Sequence, residues 1–130
     1  MKRILLLVIV LALCQMTVAQ GGKLKATPCG SAAHCTVLTW TNPAFVGGGY
    51  IEVLRGPASG GETNLANVGQ VTTYTDTAVT TNTTYFYTVE QCAVSAATGA
   101  VVCSAPSNEV SDTIPLATLS APSSLAGSAN

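Results

Sequence analysis

Between residues 36 and 113 the chain alternates apolar and polar positions with a period of two, in short runs broken by Gly, Pro, Asn and Ser. Successive side chains on a strand point to opposite faces, so this alternation predicts half-buried β-strands. In Cys35-Thr36-Val37-Leu38-Thr39-Trp40 it places Thr36, Leu38 and Trp40 on one face, and Cys35, Val37 and Thr39 on the other. The same pattern predicts strands at 50–55, at 64–68 near an edge, at 73–75, and at 85–94, the longest. Residues 100–103 pair back onto that long strand, and 107–113 close the sheet after Pro106, a residue suited to an edge or a bulge. A first strand is expected at 23–26, within a lead-in that ends at residue 34. Asn42-Pro43, Gly47-Gly48-Gly49 and Gly56-Pro57 with Gly60-Gly61 supply the turns. No helical period follows the first nineteen residues. Many short strands separated by turn signals make the chain all-β, a sandwich or a barrel.

The N-terminal stretch has a different pattern. Met1-Lys2-Arg3 is basic, residues 4–14 are unbroken apolar, and Thr17-Val18-Ala19 ends in a small residue. This is the layout of a secretory signal peptide covering residues 1–19. The apolar stretch is far short of the ~20 residues that span a bilayer, so no stable membrane span is expected in the mature chain. Lipid attachment at Cys14 is not expected, because Leu13 before it is not small. The mature chain is then secreted, periplasmic or held in the cell envelope.

Export changes the charge balance. The full chain has five Lys and Arg against six Asp and Glu, for a net charge of −1. Without the leader, Lys23, Lys25 and Arg55 face Glu52, Glu62, Asp76, Glu90, Glu109 and Asp112. A surface so poor in cations excludes nucleic acid, whose binding rests on clustered Lys and Arg, and anionic membrane surfaces. Four cysteines remain: Cys29, Cys35, Cys92 and Cys103. An even count in an exported chain implies disulfides, and spacing favours the local pairs Cys29–Cys35 and Cys92–Cys103. The second pair flanks the turn signal of residues 95–99. Neither pair has the short spacing of a zinc site and only one His is present, so no metal and no cofactor are expected.

Several segments together resemble a known family. Val37-Leu38-Thr39-Trp40-Thr41, then Gly49-Tyr50-Ile51-Glu52-Val53-Leu54-Arg55-Gly56 followed by Ser59-Gly60-Gly61, resemble the second and third strands of fibronectin type III domains, in their bacterial form. Thr73-Tyr74-Thr75-Asp76 with Val79, Thr83-Thr84-Tyr85-Phe86-Tyr87-Thr88-Val89, and Ala105-Pro106-Ser107-Asn108-Glu109-Val110-Ser111 are similar to the later strands. The resemblance runs through residue 115 and implies an immunoglobulin-like, seven-stranded antiparallel β-sandwich. It implies a core containing Leu38, Trp40, Tyr74, Tyr85, Tyr87 and Val89, with the Tyr85 hydroxyl bonded to backbone a few residues upstream. It also places Cys92 and Cys103 where some bacterial members carry cysteines. The Cys29–Cys35 bridge is what then remains, and a core-spanning Cys35–Cys92 bridge is not expected.

Catalysis finds little support. His34 lies beside Cys35, but adjacent strand residues point to opposite faces. Glu52 and Glu90 face outward on neighbouring strands and read as solvated acids. Asn82-Thr83-Thr84 is a glycosylation sequon by pattern. Residues 116–130 read as a flexible tail or as the truncated start of a second domain. The chain is therefore expected to be a monomeric, non-catalytic module that binds or spaces at a protein or cell-surface partner. A polysaccharide-binding accessory module detached from a secreted enzyme is the alternative, and a secreted inhibitor a further one. The expected contact surface comprises Phe45 and Gly47 in one loop and Thr98 and Gly99 at the tip of the hairpin.

Overall fold

A computed structural model describes residues 23–30, 34–42, 45 and 48–116. The expected leader at 1–19, Gly47 and the tail from residue 117 lie outside the described residues. Eight strands follow one another: β1 (Lys25–Pro28), β2 (Thr36–Thr39), β3 (Tyr50–Gly56), β4 (Thr63–Val68), β5 (Thr73–Asp76), β6 (Thr84–Val94), β7 (Val101–Cys103) and β8 (Val110–Thr113). All pairings are antiparallel. One sheet has the order β1-β2-β5; the other is β4-β3-β6, with β7 and β8 both paired to β6. No described residue is helical, and no helix is long and apolar enough to cross a membrane.

The two sheets close over the side chains that alternation turns inward. Leu24, Leu38, Trp40, Ile51, Val53, Tyr87 and Val89 form one buried cluster, with Phe45, Tyr74 and Tyr85 packed against it. Trp40 satisfies its indole N–H by donating to Asn42 Oδ1 at 2.8 Å. Arg55 falls on the Ile51 and Val53 face, so its cation is carried inward. It donates to Asp76 Oδ2 at 2.7 Å across the sandwich, and Tyr87 donates its hydroxyl to the same oxygen at 3.0 Å. Burial works against the Arg55 charge, but the bond and charge of Asp76 outweigh it and raise its pKa. Burial, aided by Asp76, raises the Tyr87 phenol well above its ordinary value. The Tyr85 hydroxyl accepts from the backbone N–H of Thr80, five residues upstream, at 3.2 Å, and the Arg55 guanidinium lies 4.9 Å from the centre of its ring.

Two boundaries differ from the pattern reading. The first strand lies at Lys25–Pro28 rather than at 23–26. Its register is set by β2: Pro28 pairs with Thr36, and just beyond them Cys29 N–H donates to Cys35 carbonyl at 3.0 Å. The closing strand is shorter than 107–113, because the chain leaves the ladder around Pro106. Serines fill the gap. Ser104 and Ser107 each donate a backbone N–H to β6 carbonyls, at Gln91 and Val89. Their hydroxyls accept from the Gln91 and Val89 N–H groups at 3.1 and 3.0 Å. The long strand thus keeps the backbone groups of Val89 and Gln91 paired where its neighbour strand is missing.

The turn between β3 and β4 leaves no room at Gly56. A Cβ there would lie 2.5 Å from the Gly61 carbonyl oxygen and 2.9 Å from Glu62 N. Both are backbone atoms, so the turn itself must move. Gly56→Ala is expected to cost about 1–3 kcal/mol in urea unfolding, against no change if the turn yields freely.

Glu62 in this turn is coupled to Glu109, which comes from the segment just before β8. Burial, and then the hydrogen bond to Glu109, raise Glu62 above its ordinary 4.5. The hydrogen bond from Glu62 and donors at Gly60 and Ser59 lower Glu109. A raised carboxyl binds its proton more tightly folded than unfolded. Its stabilising share is therefore complete below the unfolded pKa and lost as pH rises through the folded one. The Glu109 share runs the other way, present above its unfolded pKa and lost as pH falls through the lowered value. Glu62→Gln keeps a neutral donor, so its stability relative to the natural chain should grow as pH rises from the ordinary glutamate pKa to neutrality. Thermal unfolding across that range would show it; a constant offset would contradict it.

Candidate functional site

The outer face of the five-stranded sheet carries the side chains that the core does not use. On β6, alternation sends Tyr85, Tyr87, Val89 and Gln91 inward and Phe86, Thr88, Glu90, Cys92 and Val94 outward. The register then assembles a surface. Tyr50 pairs with Cys92 and Glu52 with Glu90 across β3 and β6. Cys92 pairs with Cys103, and Val94 with Val101, across β6 and β7. One sheet face therefore runs from an acidic pair, through a disulfide, to a pair of valines.

The disulfide Cys92–Cys103 joins directly opposed residues whose Cα atoms are 4.0 Å apart. It pins the hairpin whose tip is residues 95–100. Ser95 N–H donates to the Ala100 carbonyl at 2.8 Å, Gly99 N–H donates to the Ser95 carbonyl at 2.7 Å, and Gly99 has a φ of +71°. Gly99 supplies a conformation that side-chain-bearing residues rarely adopt. Thr98 and Gly99 are exposed, as the contact-surface reading needs. The second bridge, Cys29–Cys35, ties the β1–β2 connection at the other sheet. Two disulfides suit an oxidising compartment.

Three valines on this hairpin stand in solvent: Val94 at 57% exposure, Val101 at 55% and Val102 at 52%. Val94 and Val101 lie on the outer face beside the disulfide, while Val102 points to the opposite side of the same short strand. Among the described residues β7 pairs only with β6, and no strand pairs with its other edge. The contact surface expected from sequence takes only Thr98 and Gly99 from this hairpin and does not include these valines. Among the described residues β7 has three residues and pairs with β6 alone, which local pattern does not announce.

Phe45 corrects the expected contact surface. It is half-buried and packed against the core cluster instead of standing free. A Cβ on Gly49 would come within 3.0 Å of its ring and 3.3 Å of the Cys92 carbonyl. Phe45 is therefore a wedge against the core cluster.

Glu52 and Glu90 are the site's charges. Like charges directly opposite on neighbouring strands repel. Burial, and then the Glu52 charge, raise the Glu90 pKa. Tyr50 donates its hydroxyl to Glu52 Oε1 at 3.3 Å, and burial followed by Glu52 raises the Tyr50 phenol. Among the described residues the cations lie elsewhere: Arg55 faces the core, and Lys23 and Lys25 lie at or just before β1. Two carboxylates and two sulfurs are the only group of described side chains of metal-ligating type drawn this close together. While the bridge is closed the sulfurs are not thiolates, the form that binds metals.

Two antiparallel sheets packed face to face in this strand order, with a tyrosine at the β5–β6 corner bonded back to the backbone, define an immunoglobulin-like β-sandwich. The comparisons narrow this. An Fn3-like protein from Clostridium thermocellum, known from its crystal structure, is 33% identical over 78% of this chain and 95% of its own, with a TM-score of 0.55. The chain belongs to the fibronectin type III family. The sixth such domain of human fibronectin type III domain containing protein 3 superposes at TM-score 0.58 with 21% identity, over 82% of this chain and 92% of that one. Pectate lyase PelI from Erwinia chrysanthemi, solved with tetragalacturonic acid, contains a similar domain: 24% identity, TM-score 0.54, 72% of this chain and 28% of that protein. No family model and no curated protein matches the chain. The fold supports a non-catalytic module.

Proposed function

We propose that the protein is an exported, monomeric, non-catalytic module that docks on a protein partner at the cell surface through its β6–β7 hairpin. The observation that carries this reading is the exposed valine trio on a hairpin fixed by Cys92–Cys103. Large aliphatic side chains clustered in solvent mark interaction sites more often than chance exposure. A disulfide-fixed hairpin loses little conformational freedom on binding, so more of the contact energy appears as affinity. The apolar leader at 1–19 and the two disulfides support export, and the sparse charge supports neither nucleic acid nor an anionic membrane as the partner.

The test is saturable binding of the chain to envelope preparations from its own host, with and without prior protease treatment. A protein partner predicts saturable binding that protease abolishes. Binding that survives protease and is lost on glycan digestion would replace this reading with the polysaccharide accessory role. The absence of saturable binding would leave only a spacer.

A further inference from the structure

We infer that Cys92, Cys103, Glu52 and Glu90 form a reduction-gated site for a thiophilic divalent cation, of which Zn²⁺ is the fitting example. The ligand atoms of these four side chains all lie within 4.8 Å of one another. Two antiparallel registers produce that grouping, Glu52 opposite Glu90 and Cys92 opposite Cys103, with Glu90 and Cys92 on the same face of β6. The cluster sits on a rigid sheet instead of in a loop, so its ligands are held by backbone pairing. Zinc takes four ligands tetrahedrally, at about 2.3 Å for thiolate and about 2.0–2.2 Å for carboxylate, so its ligands stand roughly 3.5 Å apart. Four atoms inside a 4.8 Å cluster are close to that spacing once the bonded sulfurs separate.

Three further features point to a cation. The two carboxylates face each other with no compensating cation on this face among the described residues. Cys92 is fully buried and Cys103 partly so, which shields a bound ion from water. Tyr50 donates to Glu52, the kind of outer hydrogen bond that orients a ligating carboxylate. The sequence reading found no metal site because it judged each cysteine pair alone; the two glutamates join Cys92 and Cys103 only through the sheet register.

The closed bridge is the gate. A dithiol reductant transfers two electrons and two protons to the Cys92–Cys103 bond, which breaks to give two thiols, while the reductant closes to its own disulfide. The metal then displaces the two thiol protons to solvent and binds the thiolates with the two carboxylates. Oxidised chain offers only the acid pair.

The test uses the full chain carrying Cys14→Ser, Cys29→Ser and Cys35→Ser, so that Cys92 and Cys103 are its only cysteines. The probe is Co²⁺, followed by Zn²⁺ competition, before and after reduction with a phosphine, which takes up the oxygen of water as the disulfide opens. Expected is one Co²⁺ per reduced chain, with thiolate charge-transfer and tetrahedral absorption bands, displaced by Zn²⁺ and absent from oxidised chain. Glu52→Gln with Glu90→Gln should weaken binding at least tenfold, and Tyr50→Phe about tenfold or more. Equal affinity in oxidised and reduced chain, or no effect of the glutamate changes, would overturn the proposal. So would unfolding on reduction, seen in Trp40 fluorescence, that added metal does not reverse.

Discussion

Asp76→Ala should cost about 3–5 kcal/mol of folding stability, the range for removing one partner of a buried ion pair. Asp76 is 1% exposed and accepts three hydrogen bonds. Its Oδ2 takes one from Arg55 of β3 and one from Tyr87 of β6, and its Oδ1 takes the Ala78 N–H at 2.9 Å. The residue thus ties β5, in one sheet, to two strands of the other and sets the path of the chain into β6. Alanine leaves a guanidinium with 23% side-chain exposure and a fully buried phenol without their shared acceptor. The unmade bonds, more than the net worth of the pair, account for the size of the effect. Asp76→Asn, which keeps one acceptor oxygen, should lose less. Urea unfolding followed by Trp40 fluorescence measures both. A loss below about 1 kcal/mol for Asp76→Ala, the scale of an exposed ion pair, would mean that the network is not a tie between the sheets.

Trp40→Ala should be of similar size, about 3–5 kcal/mol, for a different reason. Trp40 is 5% exposed and packs within a cluster drawn from both sheets. Its removal opens a cavity that strands held by backbone ladders cannot collapse to fill. It also frees the Asn42 side chain, which holds the indole N–H on one side and donates to the Val71 carbonyl at 2.9 Å on the other. The segments after β2 and before β5 are joined through that amide. Trp40→Phe keeps most of the volume and loses the indole bond, so it should cost clearly less. Circular dichroism is the appropriate probe, since the chain has a single Trp. Equal losses for Ala and Phe would show that the Asn42 bridge, not the packing, is what Trp40 contributes.

The frame of this fold was readable because its strands alternate cleanly. Thr36, Leu38 and Trp40 could be assigned to one face, and Glu52 and Glu90 to the other, from periodicity alone. What was not readable depended on register and on neighbours. The shift of the first strand follows from its pairing with β2, which a run of Lys, Leu, Lys and Ala does not announce. The serines that stand in for a strand around Pro106 make sense only once the β6 groups they bond are known. Arg55 carried a usable signal, since a cation on the Ile51 and Val53 face must find a buried partner, but its distance from Asp76 in sequence hid which one. Phe45 looked like a free loop aromatic because nothing in its own segment shows the core end it fills. The exposure of the hairpin valines was not readable, because local pattern cannot say whether a neighbour covers β7.

The most direct test of the hairpin as the docking surface is Val94→Lys with Val102→Lys, two positions that are exposed and not opposed to each other. Neither side chain is buried, so thermal unfolding should stay close to that of the natural chain. Saturable binding to the host envelope should fall at least tenfold, about 1.4 kcal/mol. Unchanged affinity in a variant that folds normally would contradict the assignment of this hairpin as the contact surface.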